Sequence, residues 1–287
     1  MSRVAYVNGR YLPHRRAAVH IEDRGYQFAD GVYEVIAIQG RRLVDEKPHL
    51  DRLAKSLGAV SMEAPMGDRA LVHVMKEVVR RNRVTNGILY LQITRGVAPR
   101  NHAFPDFGTP SLVMTARATP GPAPDLISQG CHVITVPDIR WKRCDIKTIA
   151  LLPNILAKQQ AKDAGAFEAL QVDQQGFITE GSATNVWIIT ADGVLVTRPA
   201  DNAILDGITR RTVINLASRV QLRFEERPFS VDEAMSAAEA FLTGTTAFVM
   251  PIVTIDDRSI GDGRPGPSTK RLLADYEAHT AAGGKRH

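Results

Sequence analysis

Apolar positions along this chain recur in two rhythms, and each predicts a type of element. Apolar and β-branched runs bounded by turn residues predict strands over 32–38, where Gly40 supplies the closing turn, and over 88–94 and 111–116, which could pair. Spacings of three and four predict helices. Leu50, Leu53 and Leu57 share one face of 49–57, and Leu71, Val74, Met75, Val78 and Val79 share one face of 68–83. Further on, strands are expected over 132–136, 169–172, 185–189, 194–196, 239–242 and 249–255. Helices are expected over 154–164, 208–218 and 268–279, and over 231–237, where Ser230-x-x-Glu233 reads as a capping box.

The clearest break in these rhythms is Thr119-Pro120-Gly121-Pro122-Ala123-Pro124, whose three prolines and glycine continue neither helix nor strand. It predicts an α/β domain over 1–118, a linker over 119–124, a second α/β domain over 125–282 and a frayed tail over 283–287. The fold class is therefore mixed α/β (α+β) in two domains, with a cleft expected between them. No internal repeat interrupts the chain.

Composition narrows the class. Of 287 residues, 44% are hydrophobic, too many for a disordered chain, and 22 Gly with 16 Pro are far too few for a collagen-like one. No apolar run reaches the roughly 18 to 20 residues that span a bilayer, and the opening MSRVAYVNGR lacks the apolar stretch of a secretory signal. Cys131 and Cys144 make no disulfide framework, and neither has a second Cys or His at zinc spacing, so no metal is expected. These features predict a soluble cytoplasmic protein with no membrane partner. The net charge of +5 comes from 36 basic and 31 acidic residues. The arginine pairs at 15–16, 41–42, 80–81 and 210–211 are scattered rather than striped, so no nucleic-acid partner is expected either. A modest positive field suits a small anionic substrate or a phosphate group.

Candidate chemistry lies where polar residues interrupt the pattern. Nine lysines are present, and most, such as Lys76, Lys158 and Lys162, lie on predicted helices among charges. Lys147 differs, because it stands in Cys144-Asp145-Ile146-Lys147-Thr148-Ile149-Ala150-Leu151-Leu152 beside an apolar run. An amine held among apolar groups has a lowered pKa and can act as nucleophile or proton carrier; the plain alternative is a surface lysine at a strand end. In Thr179-Glu180-Gly181-Ser182-Ala183-Thr184-Asn185, Gly181 permits a tight turn from which Glu180 would project, and simple turn chemistry is the alternative. Leu205-Asp206-Gly207-Ile208-Thr209-Arg210 opens a helix whose first N–H groups can cradle phosphate, although Asp-Gly before any helix looks similar. Thr243-Gly244-Thr245-Thr246 is either a phosphate contact or a polar turn. The loop 94–105 carries Arg100 and His102, fit for gripping a carboxylate or for solvation at a basic surface.

Taken together and in order, these strings carry a resemblance. Asp23-Arg24-Gly25-Tyr26-Gln27-Phe28, Asp30-Gly31-Val32-Tyr33-Glu34, the Arg100/His102 loop, Arg143-Cys144-Asp145-Ile146-Lys147, Glu180-Gly181-Ser182-x-x-Asn185 and Gly207-Ile208-Thr209-Arg210 resemble the class IV, or fold type IV, pyridoxal-phosphate aminotransferases. The likeness runs from about residue 6 to 253, and the Arg-x-His string favours the D-amino acid branch. The resemblance implies that Lys147 forms the Schiff base with pyridoxal 5′-phosphate and that Glu180 faces the pyridine nitrogen. It implies phosphate contacts from Arg52, Ile208, Thr209 and Thr245, with Leu205 packed near the cofactor ring. It also implies that Tyr33, Arg100 and His102 bind the substrate carboxylate, the last two lent by the partner of a homodimer. The fold implied is fold type IV, with the cofactor in the interdomain cleft. The reaction implied is ping-pong transfer between a D-amino acid of the D-alanine or D-glutamate class and a 2-oxo acid such as 2-oxoglutarate. Gly244 and Ala247 depart from a pattern in which serines more often flank the threonines. The alternatives are a branched-chain L-amino acid or (R)-amine transaminase, an aminodeoxychorismate lyase, and a non-catalytic binding protein, the last disfavoured by retention of both Lys147 and Glu180.

Overall fold

Alternating burial along one strand shows how the first part of the chain folds: Val32, Glu34, Ile36 and Ile38 face inward while Tyr33, Val35 and Ala37 are half-buried. In the computed structural model, which describes residues 3–106, 108–219 and 222–283, the chain divides into two units. One comprises Met1–Pro120, Ile146–Ala150 and Thr280–His287, the other Gly121–Asp145 and Leu151–His279. The first unit contains β1 (Val4–Val7), β2 (Arg10–Pro13), α1 (Arg24–Phe28), β3 (Gly31–Gln39), β4 (Arg42–Leu43), α2 (Glu46–Ala59), α3 (Asp68–Asn82), β5 (Gly87–Thr94) and β6 (Ser111–Ala118). Its six strands form one antiparallel sheet in the order β2-β1-β6-β5-β3-β4. The expected pairing of the runs at 88–94 and 111–116 is present, with Ile88 opposite Arg117 and Thr94 opposite Ser111. Helix α2 packs on β3, and α3 on β1 and β6, burying Leu53, Leu71, Met75 and Val78 against Ile36, Leu91 and Met114. Each such side chain contributes about 1.5–3 kcal/mol.

The second unit contains α4 (Pro124–Gln129), β7 (Cys131–Pro137), α5 (Leu152–Asp163), β8 (Glu168–Val172), β9 (Ile178–Gly181), β10 (Asn185–Ile189), β11 (Leu195–Thr197), α6 (Ile208–Arg219), β12 (Phe224–Glu226), α7 (Val231–Met235), β13 (Glu239–Gly244), β14 (Phe248–Ile255), β15 (Arg258–Ser259) and α8 (Pro267–Ala281). Its nine strands form a mixed sheet in the order β12-β11-β10-β13-β14-β7-β8-β9, with β15 beside β14. The pairs β7/β8, β14/β7 and β11/β12 are parallel. Parallel neighbours need a crossover rather than a hairpin, and α5 and α6 supply it between β7 and β8 and between β11 and β12. The Trp187 and Phe241 rings stack 5.5 Å apart, and Trp187 Nε1 donates to Thr243 Oγ1 at 2.9 Å, so a buried indole keeps its donor satisfied.

Ser230 caps α7 as the expected box required, with Glu233 N–H donating to Ser230 Oγ at 3.1 Å, but the Glu233 carboxylate accepts from Arg227 instead of closing the box, and α7 stops at Met235 rather than 237. The segment expected as a turn at Glu180–Gly181 is instead the end of β9, and the turn follows at 182–184. Gly181 is required there by space, because a Cβ would lie 2.1 Å from Thr184 Oγ1. Of the expected tail over 283–287, only Gly283 is among the described residues. Among those residues no helix is long and apolar enough to cross a membrane.

Candidate active site

Residues 146–150 run beside β3 in the first unit. Thr148 bridges Val32, Tyr33 N–H donates to the Lys147 carbonyl at 3.0 Å, and Ile149 N–H donates to the Gly31 carbonyl at 3.1 Å. On its other side the Lys147 N–H donates to Ser56 Oγ at 3.2 Å. With its backbone pinned by β3 and α2, the half-buried Lys147 carries Nζ 4.3 Å from the Tyr33 ring centroid. This cation–π contact directs the amine without fixing it in a hydrogen bond.

Spacings of three and four place His49, Arg52 and Ser56 together on the buried face of α2. There Arg52 Nε and Nη2 donate to Glu34 Oε1 and Oε2, each at 2.8 Å, and His49 Nδ1 lies 2.7 Å from Glu34 Oε2. Glu34 is fully buried. Burial alone would raise its carboxyl, but the Arg52 charge and the bonds from Arg52 and His49 outweigh that and hold it at about 2. Burial pushes His49 the other way, below the usual imidazole range, and the nearby Arg52 and Lys147 charges add to the effect against the pull of Glu34.

Both shifts are downward, so over the intervening pH the unfolded chain holds more protons and stability rises with pH. The His49 contribution is lost as pH falls below 6.5, and the Glu34 contribution as it falls from 4.5 toward about 2. The melting temperature should therefore drop progressively from pH 7 to pH 3. Glu34→Gln should flatten the acid end of that curve and cost about 3–5 kcal/mol at pH 7, because a buried guanidinium loses its carboxylate. Calorimetry at several pH values checks this, and an acid slope in the variant parallel to that of the native chain would contradict it.

The loop carrying Arg100 and His102 lies against α1 in the same unit. The Arg100 guanidinium carbon is 4.6 Å from the Phe28 ring centroid, and the His102 ring is 5.5 Å from it. Both side chains are exposed. Arg24 Nη1 donates to the Asn101 carbonyl at 2.5 Å and Nη2 to the His102 carbonyl at 3.4 Å.

In the second unit Glu180 is held through both carboxylate oxygens. Arg140 Nη1 donates to Oε1, while Leu205 N–H at 3.1 Å and Asn185 Nδ2 at 3.2 Å donate to Oε2. The Arg140 side chain is itself buried and donates to Asp138 Oδ1 and Oδ2 at 3.0 and 2.7 Å, to Thr179 Oγ1 and to the Ala203 carbonyl. Burial would raise Asp138, but its bond to the Arg140 charge holds it below the usual carboxylate range. Leu205 is therefore tied to Glu180 by its backbone. The loop after it leads into α6 at Ile208 and Thr209, both buried, so the first N–H groups of a 12-residue helix open near Glu180's own partners. Gly207 makes that approach possible, since a Cβ there would lie 2.2 Å from Asn185 Oδ1. Thr209 Oγ1 lies 3.3 Å from the Tyr276 hydroxyl, and Thr245 sits half-buried in the turn between β13 and β14. The extra room at Gly244, where an added Cβ meets nothing closer than 3.4 Å, shows that this position does not demand glycine for space.

The family described as amino-transferase class IV matches residues 31–255. That span includes Tyr33, Arg52, Arg100, His102, Lys147, Glu180, Leu205, Ile208, Thr209 and Thr245. The chain belongs to the class IV aminotransferases. It is 43% identical over 266 residues to a D-alanine aminotransferase of Bacillus licheniformis, covering 92% of this chain and 93% of that one. It is 38% identical over 274 residues to a D-alanine aminotransferase of Staphylococcus epidermidis, covering 96% of each. A solved structure of a T.th. branched-chain amino acid aminotransferase, complexed with N-(5′-phosphopyridoxyl)-L-glutamate, superimposes with a TM-score of 0.91 at 26% identity, covering 98% of this chain and 95% of that one.

Within this class IV aminotransferase the structure brings Lys147 to Tyr33, Glu180 to Leu205 and the α6 start, and Arg100 to His102. Glu34, His49 and Arg140 carry chemistry that the motif reading did not assign. Glu34 announces itself by register: in a strand whose alternate residues are apolar, an acidic side chain two positions from Val32 and Ile36 must be buried and therefore paired. Arg140 gives no comparable signal, because it lies in a loop with no period.

Proposed function

We propose that this enzyme is a cytoplasmic D-amino acid aminotransferase. In two alternating half-reactions it would move the amino group of a D-alanine- or D-glutamate-class substrate to a 2-oxo acid such as 2-oxoglutarate, with pyridoxal 5′-phosphate as cofactor. The observation that carries the substrate class is the Arg100–Phe28–His102 cluster, which offers two carboxylate-binding side chains on one loop. Likeness to the D-alanine aminotransferases supports the D-branch, and the phosphopyridoxyl adduct in the branched-chain enzyme's structure supports the cofactor.

The donor set suits that cofactor. Lys147 offers an amine to the aldehyde, and Glu180 offers a carboxylate, fixed through both oxygens, to the protonated ring nitrogen. Arg52, the N–H groups of Ile208 and Thr209 and the hydroxyls of Thr209 and Thr245 suit a phosphate dianion, and the Leu205 side chain offers apolar contact for the ring. Bound pyridoxal phosphate supplies a protonated aromatic ring that accepts electron density from the substrate Cα. Lys147 moves the Cα proton at its Nζ. Arg140 and Asn185 keep Glu180 in place, while Tyr33, Arg100 and His102 orient the substrate by its carboxylate. We also infer a homodimer in which Arg100 and His102 of one protomer serve substrate held by the other. Ile21, Tyr26 and Leu152, at 75%, 76% and 66% exposure, supply apolar surface of the kind a subunit contact buries.

Arg100→Ala is expected to remove about 1.5–3 kcal/mol of charge-assisted hydrogen bonding, roughly 10- to 150-fold in kcat/KM. The loss should be similar for D-alanine and D-glutamate, which share the carboxylate, and milder for His102→Ala. A panel of paired D- and L-amino acids and simple amines checks this. Preferential turnover of branched L-amino acids, or intact D-alanine turnover in Arg100→Ala, would overturn the assignment.

A further inference from the structure

Arg24 is 3% exposed, yet no step above uses it. Its guanidinium commits Nε to Asp30 Oδ2 at 2.8 Å, Nη1 to the Asn101 carbonyl at 2.5 Å and Nη2 to the His102 carbonyl at 3.4 Å. Asp30 also takes Arg95 through Nε at 2.8 Å and Nη2 at 3.0 Å. Arg95 in turn lies 3.6 Å from the Phe104 ring centroid. The start, middle and end of the 95–104 segment therefore trace back to one carboxylate. The helix bearing Arg24 is itself fixed: Asp23 caps it by accepting from Gly25 N–H at 2.8 Å and also accepts from Thr94 Oγ1 at 3.0 Å, and Arg24 N–H donates to the Gly96 carbonyl at 2.9 Å.

We propose that α1 is the positioning element of the carboxylate-binding loop, with Arg24 holding the loop backbone and Phe28 seating the side chains of Arg100 and His102. The inference rests on the functional reading given above. Its chemistry follows from what each contact consumes. Phe28 has no hydrogen-bonding atom, so its ring face orients the Arg100 guanidinium while leaving the N–H fork free. Among the described residues, the Arg100 guanidinium and the His102 ring make no side-chain hydrogen bond, so their donors remain available to a substrate carboxylate. Arg24 meanwhile binds only carbonyls of the loop and so fixes its path without occupying the side chains that grip. A clamp held in its binding shape before substrate arrives loses less freedom on binding, which appears as affinity rather than as a faster chemical step. Arg24 and Phe28 are thus positioning residues, and the Asp23–Phe28 string acquires a role.

The test compares the native holoenzyme with Arg24→Gln, Phe28→Leu and Arg100→Ala. KM and kcat are measured for D-alanine, and the half-reaction rate for ethylamine, which is alanine without its carboxylate. Amide hydrogen exchange is followed over residues 99–104. Arg24→Gln is expected to raise KM for D-alanine on the order of 10- to 100-fold, to leave kcat and the ethylamine rate within about threefold, and to speed exchange in the loop. Phe28→Leu, a change confined to one ring, should raise KM for D-alanine with loop exchange unchanged. Unchanged KM and exchange in Arg24→Gln, or an equal loss for ethylamine, would overturn the proposal while leaving the functional reading intact. If Arg100→Ala leaves KM for D-alanine unchanged, the carboxylate reading of the loop falls first, and the role of α1 falls with it.

Discussion

Replacing Lys147 by alanine is expected to lower kcat by on the order of 10⁴-fold or more, the combined loss of an amine nucleophile and a proton carrier. Position makes the effect this large. The Lys147 backbone is tied to Tyr33 on one side and Ser56 on the other, and its Nζ is directed by the Tyr33 ring rather than by a carboxylate. Other lysines are committed elsewhere: Lys47 and Lys76 pair with acidic partners, and Lys158 donates to the Phe167 carbonyl. The variant should still take up pyridoxal phosphate, and borohydride should no longer fix the cofactor to the protein. Mass spectrometry of the reduced protein beside a D-alanine assay checks both. Wild-type turnover together with a reduced adduct on another lysine would contradict the assignment.

Glu180→Gln is expected to slow Cα-proton abstraction by on the order of 10²- to 10³-fold, the scale found when one preorganised electrostatic partner is removed. The reason lies in how the carboxylate is held. Its oxygens accept from Arg140 on one side and from Leu205 N–H and Asn185 Nδ2 on the other, an arrangement that only an acceptor-only group satisfies. A glutamine must turn its NH₂ toward one of these donors, so it removes the charge and also loosens the Leu205 backbone. Stopped-flow half-reactions with D-alanine and its Cα-deuterated form separate proton abstraction from later steps. An unchanged rate with an unchanged isotope effect would remove Glu180 from the chemistry.

The sequence showed its long elements plainly because their apolar residues keep one period over several turns. Helix α3 and strands β3, β5 and β14 fall where the spacing put them. Short elements did not announce themselves. Helix α1 has five residues and only Arg24 is buried, so it carries no apolar stripe; what holds it is a cap from Asp23 and a glycine that fits against Thr94. Edge strands β2 and β12 gave no strand signal, because each is mostly exposed and alternates no apolar face. The candidate site residues were legible as separate strings, Lys147, Glu180 and Arg100 each sitting beside a hydroxyl, glycine or proline that breaks a pattern. The supporting ionic network was not. Which carboxylate meets which guanidinium depends on pairings such as Arg140 with Glu180, 40 residues apart, and spacing along the chain says nothing about those.

The strip 146–150 has an evolutionary and practical consequence. It leaves the second unit's chain, joins the first unit as an added strand-like segment beside β3, and returns to begin α5. Neither unit is a separable module. A fragment ending at Pro120 has β3 but no Lys147, and a fragment beginning at Gly121 has Lys147 but nothing to hold it. Gene fusion or domain shuffling at the proline-rich break would therefore part the amine from its anchor, and whatever destabilises the first sheet reaches Lys147 through the Tyr33 and Gly31 hydrogen bonds.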